Sequence, residues 1–384
     1  MIKRIAFLSI IFFCLVYLFR IKIINQYNKV LYLNSLEKIE TLKIQIDVED
    51  ELKFKKDRDS IFETVSKHNI PWGYKNKIKY NAELTKNNEI TSCNIKIAGH
   101  YQDHLKNPTS LKVYCNNKVL LNSELSSSYF NLLNPMTRFL YVDILANFIL
   151  KDLGLKTLIS EPICVKLNKK TQVYLLEESF KSQRLNDQKG FVFTATRKNN
   201  EIIFNPVNKI KKNQKKLNQL KLKKLSKHLK IEQFLNYLII SKVFNSYHNL
   251  FDGNQRYYFS NKDEKISPIP REFWLVETLQ TPEPIIKNIQ NDTMLKNKID
   301  PIILFLINDT SFVKRYKLEQ IKFANSDNIE KILHNKLEKL KNIEILYWKN
   351  YAWYTDQNPI QKTLKIIANN KKKLLAKPSL LKLK

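Results

Sequence analysis

Glycine is scarce in this 384-residue chain, with 5 in all. That scarcity excludes the glycine-rich phosphate loops, since neither GxGxxG nor GxxxxGK[ST] occurs. Any phosphate chemistry must therefore use side chains or a different kind of loop. Cysteine is sparse too: there are 4 and no CxxC pair, so no zinc-binding spacing is present. Acid is in deficit, with 66 Lys and Arg against 36 Asp and Glu and a net charge of +30. Such a balance suits nucleic acid or an anionic membrane surface. Arginine is rare, however, and no groove-binding element is recognisable, so no specific nucleic-acid partner is expected. Binding to anionic polymers is expected only as a non-specific consequence of charge. The densest basic run, Lys209–Lys230, holds ten lysines and no acid. Its leucines at 217, 220, 222, 225 and 229 predict an amphipathic helix with a solvated face, an acidic partner or lipid headgroups being the alternative.

What is present begins with a 43 % apolar share, that of a folded protein able to bury a large core. The clearest local signal is the opening MIKRIAFLSIIFFCLVYLFRIK. Lys3 and Arg4 precede an uncharged run from Ile5 to Phe19, and Arg20 and Lys22 follow it. The run is short for a span, but snorkelling by Arg20 and Lys22 extends its reach. No small-x-small cleavage site follows, so residues 1–22 are expected to form a retained signal anchor. The domain is expected outside the cytoplasm, although basic residues on both sides nearly cancel the orientation signal. Residues 23–40 follow as a stalk.

TLKIQID (41–47) alternates like a strand, and DVEDELKFKKDRDSIFETVSKH predicts a polar helix with acids in its first turn. NKIKYNAELT, SCNIKIAG and TSLKVYC continue as strands. NPMTRFLYVDILANFILKDLGL predicts one long helix, with Asn134 as a possible cap, Pro135 in the first turn and Gly154 at the stop. EPICVKLNKKTQVYLLEESF and FVFTATRKNNEIIFNPV each predict a hairpin. IEQFLNYLIISKVFNSY reads as a buried helix and RYYFSNKDEKISPI as another hairpin. Beyond about Gln280 the pattern is helical and charged, ending in a lysine-rich tail from Lys371. Together these segments predict an α+β chain: a domain over 41–280, then a helical C-terminal extension with a basic tail over 281–384. Cys93 and Cys115 bracket a hairpin at mirrored ends, which leaves two readings, a cross-strand disulfide or two unpaired thiols. Trp348 and Trp353, near Tyr347 and Tyr351, are read as packing residues.

Six pieces of the sequence occur in a telling order: LKIQID with a helix holding KKDRD (Lys55–Asp59), GHYQDHL (Gly99–Leu105) with TSLKVYC, NPMTR (Asn134–Arg138), VKLNKKTQVYLLEESF, HNLFDGNQRYYF, and ISPI. In that order they resemble the motifs of the CotH family, the spore-coat-H type kinase-like proteins, over residues 42–272. The resemblance implies an atypical protein-kinase-like two-lobed fold that binds ATP and Mg²⁺ and phosphorylates protein or glycan hydroxyls. It places Lys112 on the phosphates with Glu178 as its ion-pair partner, Glu177 pointing to the opposite face. Asp252 would orient the attacking hydroxyl, while Asn254 and Glu272 would hold Mg²⁺. Asp103 and His104 would form a lid that clamps a phosphate or a substrate hydroxyl.

The chain also departs from that pattern. Tyr114 stands where a second basic residue is expected, and Phe251 takes an expected acidic position, so Asp252 would act from a shifted place. Glu272 replaces an Asp, and its neighbour Arg271 is suited to neutralise it as an ion pair. Each candidate has a plainer reading as well: Lys112 as a solvent-facing strand lysine, the glutamates as surface acids, Asp103 as a turn acid, and Asp252-Gly253-Asn254 as a turn former. His248 is expected to be a helix-end histidine without a catalytic role. These departures favour, as the alternative, a catalytically impaired pseudokinase acting as a binding or scaffold module in the cell envelope.

Overall fold

The computed structural model describes residues 39, 41–68, 78–99, 102–138, 140–198, 201–220, 225–246, 248–273, 275, 298–351 and 359–374. The anchor, nearly all of the stalk, the segment 276–297, the side chains of Trp348 and Trp353 and the end of the basic tail lie outside the described residues.

Alternation decides the first half. In β1 (Thr41–Ile46) the residues Leu42, Ile44 and Ile46 are buried and their neighbours exposed. The same one-face burial recurs in β2 (Tyr80–Lys86), β3 (Glu89–Ile97) and β4 (Leu111–Leu120). With β5 (Ser126–Leu133), β6 (Ser160–Leu167) and β7 (Lys170–Glu178) these strands form a closed barrel in the order β1-β2-β3-β4-β5-β7-β6. Neighbours pair antiparallel, except that β1 pairs parallel with β6 and so closes the wall, Leu42 opposite Val165. The interior is filled by Ile44, Leu84, Ile95, Val113, Phe130, Tyr174 and other buried side chains. Helix α1 (Val48–His68) packs on the barrel through Phe54, edge-on to Tyr80 at 5.2 Å, while Asp57 accepts a hydrogen bond from the Tyr80 hydroxyl at 2.8 Å. Cys93 and Cys115 face each other across β3 and β4 and form a disulfide, which settles the alternative in favour of the cross-link.

A second, four-stranded sheet has the order β11-β10-β8-β9, built from β8 (Gly190–Lys198), β9 (Glu201–Pro206), β10 (Arg256–Ser260) and β11 (Ile266–Ile269). Around it lie α2 (Val142–Asp152), α3 (Lys211–Asn218), α4 (Leu225–His228) and α5 (Ile231–Val243). Next come α6 (Pro301–Ile307), α7 (Thr310–Asn325), α8 (Asn328–Tyr351) and α9 (Pro359–Lys373). These helices are not a separate appendage. Tyr141 meets Thr363 across 3.0 Å, Asn370 donates to Val243 O at 2.8 Å, and one continuous core joins α2, α5, α6 and α8. Lys371, the first residue of the lysine-rich tail, is buried and paired with Glu330 at 2.6 Å.

Two expectations are corrected here. The two-lobed kinase-like architecture is not what the chain adopts: it forms a closed seven-stranded mixed barrel with a second sheet and helices. The closing pair, β1 with β6, joins segments more than a hundred residues apart, and local alternation cannot reveal such a partner. No described helix is long and apolar enough to cross a membrane, and the predicted anchor itself lies outside the described residues. The long central helix is also two pieces. Pro135–Arg138 form a 3₁₀ turn in which Asn134 Oδ1 accepts from Met136 N at 3.0 Å, and only after Leu140, at φ 61°, does α2 begin. That break turns the Arg138 side chain inward.

Candidate functional site

Paired strand positions share a face, so the barrel register itself lays out a polar row. Lys96 of β3 pairs with Lys112 of β4, Lys112 with Asn131 of β5, Asn131 with Glu177 of β7, and Glu177 with Ser160 of β6. Their neighbours Ile95, Val113, Phe130 and Leu176 point into the barrel, so the row lies on its outer face. Part of that outer face, through Leu133, Val173 and Leu175, packs on the helical core, and the row looks onto the joint.

Three further segments converge there. The 3₁₀ turn brings Arg138, the segment after β11 brings Arg271 and Glu272, and the turn before β10 brings His248 and Asn254. Arg138 is buried and contacts Glu177 at 3.2 Å, Glu272 at 3.3 Å and, more loosely, Asp143 at 3.9 Å. Arg271 reaches Glu177 at 3.2 Å and Glu272 at 3.3 Å. His248 Nδ1 lies 3.2 Å from Glu272 Oε2, and Asn131 donates to Glu177 Oε1 at 3.1 Å. The main chain supports the cluster: Phe273 N donates to Asp143 Oδ1 at 3.0 Å while its ring packs edge-on to Tyr237 and Phe244. Glu272 holds a left-handed backbone, φ 60°, uncommon for a long side chain and costing roughly 1–3 kcal/mol where it persists.

Burial and charge oppose each other in these groups. Burial disfavours ionised Glu272, but Arg271, Arg138 and His248 outweigh it and hold the carboxyl well below its usual range. Glu177 is likewise lowered, burial being overcome by Arg271 and Arg138. Asp143 goes the other way: burial pushes it to about 6, with Arg138 only partly compensating and Glu177 adding repulsion. Lys112 is open to solvent along part of its length, yet the surrounding walls, and then Arg271, pull its ammonium pKa down, with Glu177 opposing.

The predicted residues fare unequally. Lys112, Asn254 and Glu272 join the cluster. Glu178 does not, because strand parity sends it to the barrel side. There it receives Ser182 Oγ, both donors of Arg184 and the amide of Ile159 at 3.2 Å, so it braces a loop and leaves Lys112 to Glu177. Asp252 is exposed and faces Arg197 and Arg256, beside an open pocket of about 520 Å³ that it lines with Phe251, Gly253, Asn254 and Lys298. Burial raises its pKa, with the Gly253 amide and the two arginines opposing. His104 acts as a brace: Nδ1 lies 3.0 Å from Ser110 Oγ, which accepts from Asn134 N at 2.8 Å. Gly99, at φ 88°, makes room for it, since a Cβ there would sit 2.0 Å from the His104 ring. Asp103, whose carboxyl is raised by burial and lowered in part by the His104 amide and by Arg138, borders the cluster from this loop.

The arrangement does not fit Mg²⁺. Both Glu272 oxygens are engaged by Arg138, Arg271 and His248. Asn254 donates its amide to His248 O at 3.0 Å, and among the described residues no group of three or more His, Cys, Asp or Glu is placed to hold a metal. What the cluster can do is stabilise an anion near Lys112 and Arg271. The residues missed from sequence were Arg138, Asp143 and Glu177. Arg138 lay in a quoted motif, and the signal for Glu177 was the parity of the strand. No protein-family model matches the chain, and no curated protein matches it either.

Proposed function

We propose that this cleft binds the phosphate groups of a nucleotide such as ATP and does not transfer them, the protein serving as a binding or scaffold module held to the cell envelope by residues 1–22. The likeness in segment order to the CotH family motivates the nucleotide, and the open Lys112 beside Arg271 supplies its cationic seat. One observation carries the binding-only reading. The two carboxylates nearest the turn, Glu177 and Glu272, are neutralised by Arg138 and Arg271, and the cations that act on Asp252 are Arg197 and Arg256 and not those of the cluster. Phosphoryl transfer needs a free carboxylate at the nucleophile and compensating charge on the phosphates. Here the carboxylates hold the protein together instead.

The test is calorimetry of the full chain with ATP beside a phosphate-release assay. Saturable binding without release is expected, weakened at least tenfold in Lys112→Met. Release of phosphate that disappears in both Asp252→Ala and Asn254→Ala would overturn the binding-only reading in favour of transfer. No saturable binding at physiological salt would remove the nucleotide altogether.

A further inference from the structure

The last two helices enclose a groove that the cleft does not use. α8 and α9 run antiparallel and are clamped together at both ends. At one end Lys371 holds Glu330 at 2.6 Å, and at the other the Glu344 carboxyl accepts from Ile360 N. Between the clamps lies a half-open cavity of about 290 Å³. Ile329, Leu333 and Ile367 make its floor and are buried, while the walls, Leu337, Leu364 and Ala368, are half-buried. On each helix the lining positions recur at three or four residues, the spacing of one face. Ile329 and Leu337 are eight residues apart, so the groove is about 12 Å long. At about 30 Å³ for a water-sized group, it has room for about ten methylenes, and an extended chain of that length covers the same distance.

The rim supplies charge at one end. Lys341 follows Leu337 by four positions on α8, and Lys365 follows Gln361 by four on α9. Residues so spaced share a helix face, which brings an exposed lysine from each helix to the Glu344 end, beside Gln361. The acids there are Glu344, engaged by Ile360 N, and Glu338, exposed and three residues before Lys341. The opposite end differs, because Glu330 with Lys371 closes it and Lys372 stands outside. An apolar trough with cations at one mouth complements a molecule with an apolar chain and an anionic head.

We propose that the groove between α8 and α9 binds a single-chain anionic amphiphile, a fatty acid of about ten to twelve carbons. Its chain lies along Ile329, Leu333 and Ile367, and its carboxylate meets Lys341, Lys365 and Gln361. This site is separate from the cleft and does not rest on its reading.

Calorimetry of the full chain with dodecanoate, below micelle formation and at about 0.15 M salt, tests the assignment. Saturable binding is expected, weakened at least tenfold in Ala368→Phe, which fills the groove from its wall. Lys365→Glu should weaken it about fivefold, and Lys372→Glu, the same charge change at the closed end, less than about twofold. Glu338→Gln should strengthen it. Dodecyltrimethylammonium, with the same chain and a cationic head, should bind at least tenfold more weakly than dodecanoate. If Ala368→Phe does not fold, the two lysine variants, both at exposed positions, carry the comparison. Equal effects of Lys365→Glu and Lys372→Glu, or equal binding of the cationic amphiphile, would overturn the anionic head. Dodecanoate binding unaltered in Ala368→Phe, or adsorption without saturation, would overturn the site. Self-association that Ala368→Phe abolishes, without dodecanoate binding, would give the groove to a second copy and overturn the proposal as well.

Discussion

Arg138→Met offers the most direct check on the cluster. The guanidinium is 5 % exposed and touches three carboxylates, of which Glu177 and Asp143 are each 1 % exposed. Removing one partner of a buried ion pair generally costs about 3–5 kcal/mol because a charge is left uncompensated. The cost here falls unevenly. Asp143 sits at about 6 with Arg138 present and is ionised for the most part at pH 7; losing the arginine raises it further, so the carboxyl can take up a proton and escape much of the penalty. Glu272 retains Arg271 and His248, and Glu177 retains Arg271 and Asn131. The expectation is therefore the lower end, about 3 kcal/mol at pH 7, or a fall of about 4 °C in melting temperature for a chain of this size. The sign with pH follows from the lowered glutamates. Their stabilisation is present above the unfolded carboxyl pKa and disappears as pH falls through the folded values. The deficit of the variant should thus shrink towards pH 4, and Glu177→Gln in the same chain should recover much of it at pH 7. Urea unfolding followed by tryptophan fluorescence at pH 7 and pH 4.5 measures both. A loss under about 1 kcal/mol at pH 7, or one that grows in acid, would refute the buried network.

Gly99→Ala should destabilise the chain by about 2 kcal/mol or more, since the new methyl meets the His104 ring and the backbone is left-handed; thermal melting reads this, and His104→Ala in the same chain should relieve part of it. Asp300 is buried, caps α6 through Ile302 N at 2.8 Å, and is pushed to about 7 by burial, against hydrogen bonds from Tyr257 and two amides. Its folded value lies above the unfolded one, so its contribution is full below about pH 4 and is lost by about pH 7, up to about 4 kcal/mol. Asp300→Asn should flatten stability across that window in pH-dependent unfolding. Breaking the Cys93–Cys115 link, which spans 22 residues, by Cys93→Ser with Cys115→Ser should cost about 3 kcal/mol, measured by melting under oxidising conditions.

Much of the local structure was legible. Alternation in TLKIQI, the LNKK turn between β6 and β7, with Asn168 at φ 51°, and the facing cysteines all follow from period-two spacing and turn chemistry. The architecture was not, because closure depends on a parallel pair between the first and sixth strands, which no local window contains. The division of the EE pair shows a subtler limit. Period two correctly sends Glu177 and Glu178 to opposite faces, but which face meets the cleft depends on whether the barrel interior lies on one side or the other. Leu176 and Tyr174 decide that by packing inward, which consigns Glu178 to Arg184 and gives Glu177 to the cleft. The helix that became a 3₁₀ turn followed by α2 failed for a related reason. Asn134, Pro135 and a run of apolar residues signal a helix start, yet Asn134 is itself hydrogen-bonded to Asp103 O of the GHYQDHL loop and to Ser110 just before β4. Tertiary partners of the cap set where the helix begins.

The charge arrangement of the cluster also underlies the proposal of binding without transfer. An acid in a metal site must be free to ligate, whereas an acid that closes a joint between barrel and core must be neutralised in place. Glu272 is held in a left-handed backbone with its oxygens turned to two guanidiniums and an imidazole, so freeing it for a metal would leave Arg138 and Arg271 buried beside fewer anions. The same geometry that withdraws Glu272 leaves Lys112 beside Arg271, with Glu177, itself held by Arg138 and Arg271, as the opposing acid. Stability of the joint and affinity for an external anion therefore draw on one set of side chains. Glu272→Gln should separate them: it removes a neutralising acid, so phosphate binding at the lysine end should strengthen even as the joint weakens, and a parallel fall in both would show that the two are not linked through charge.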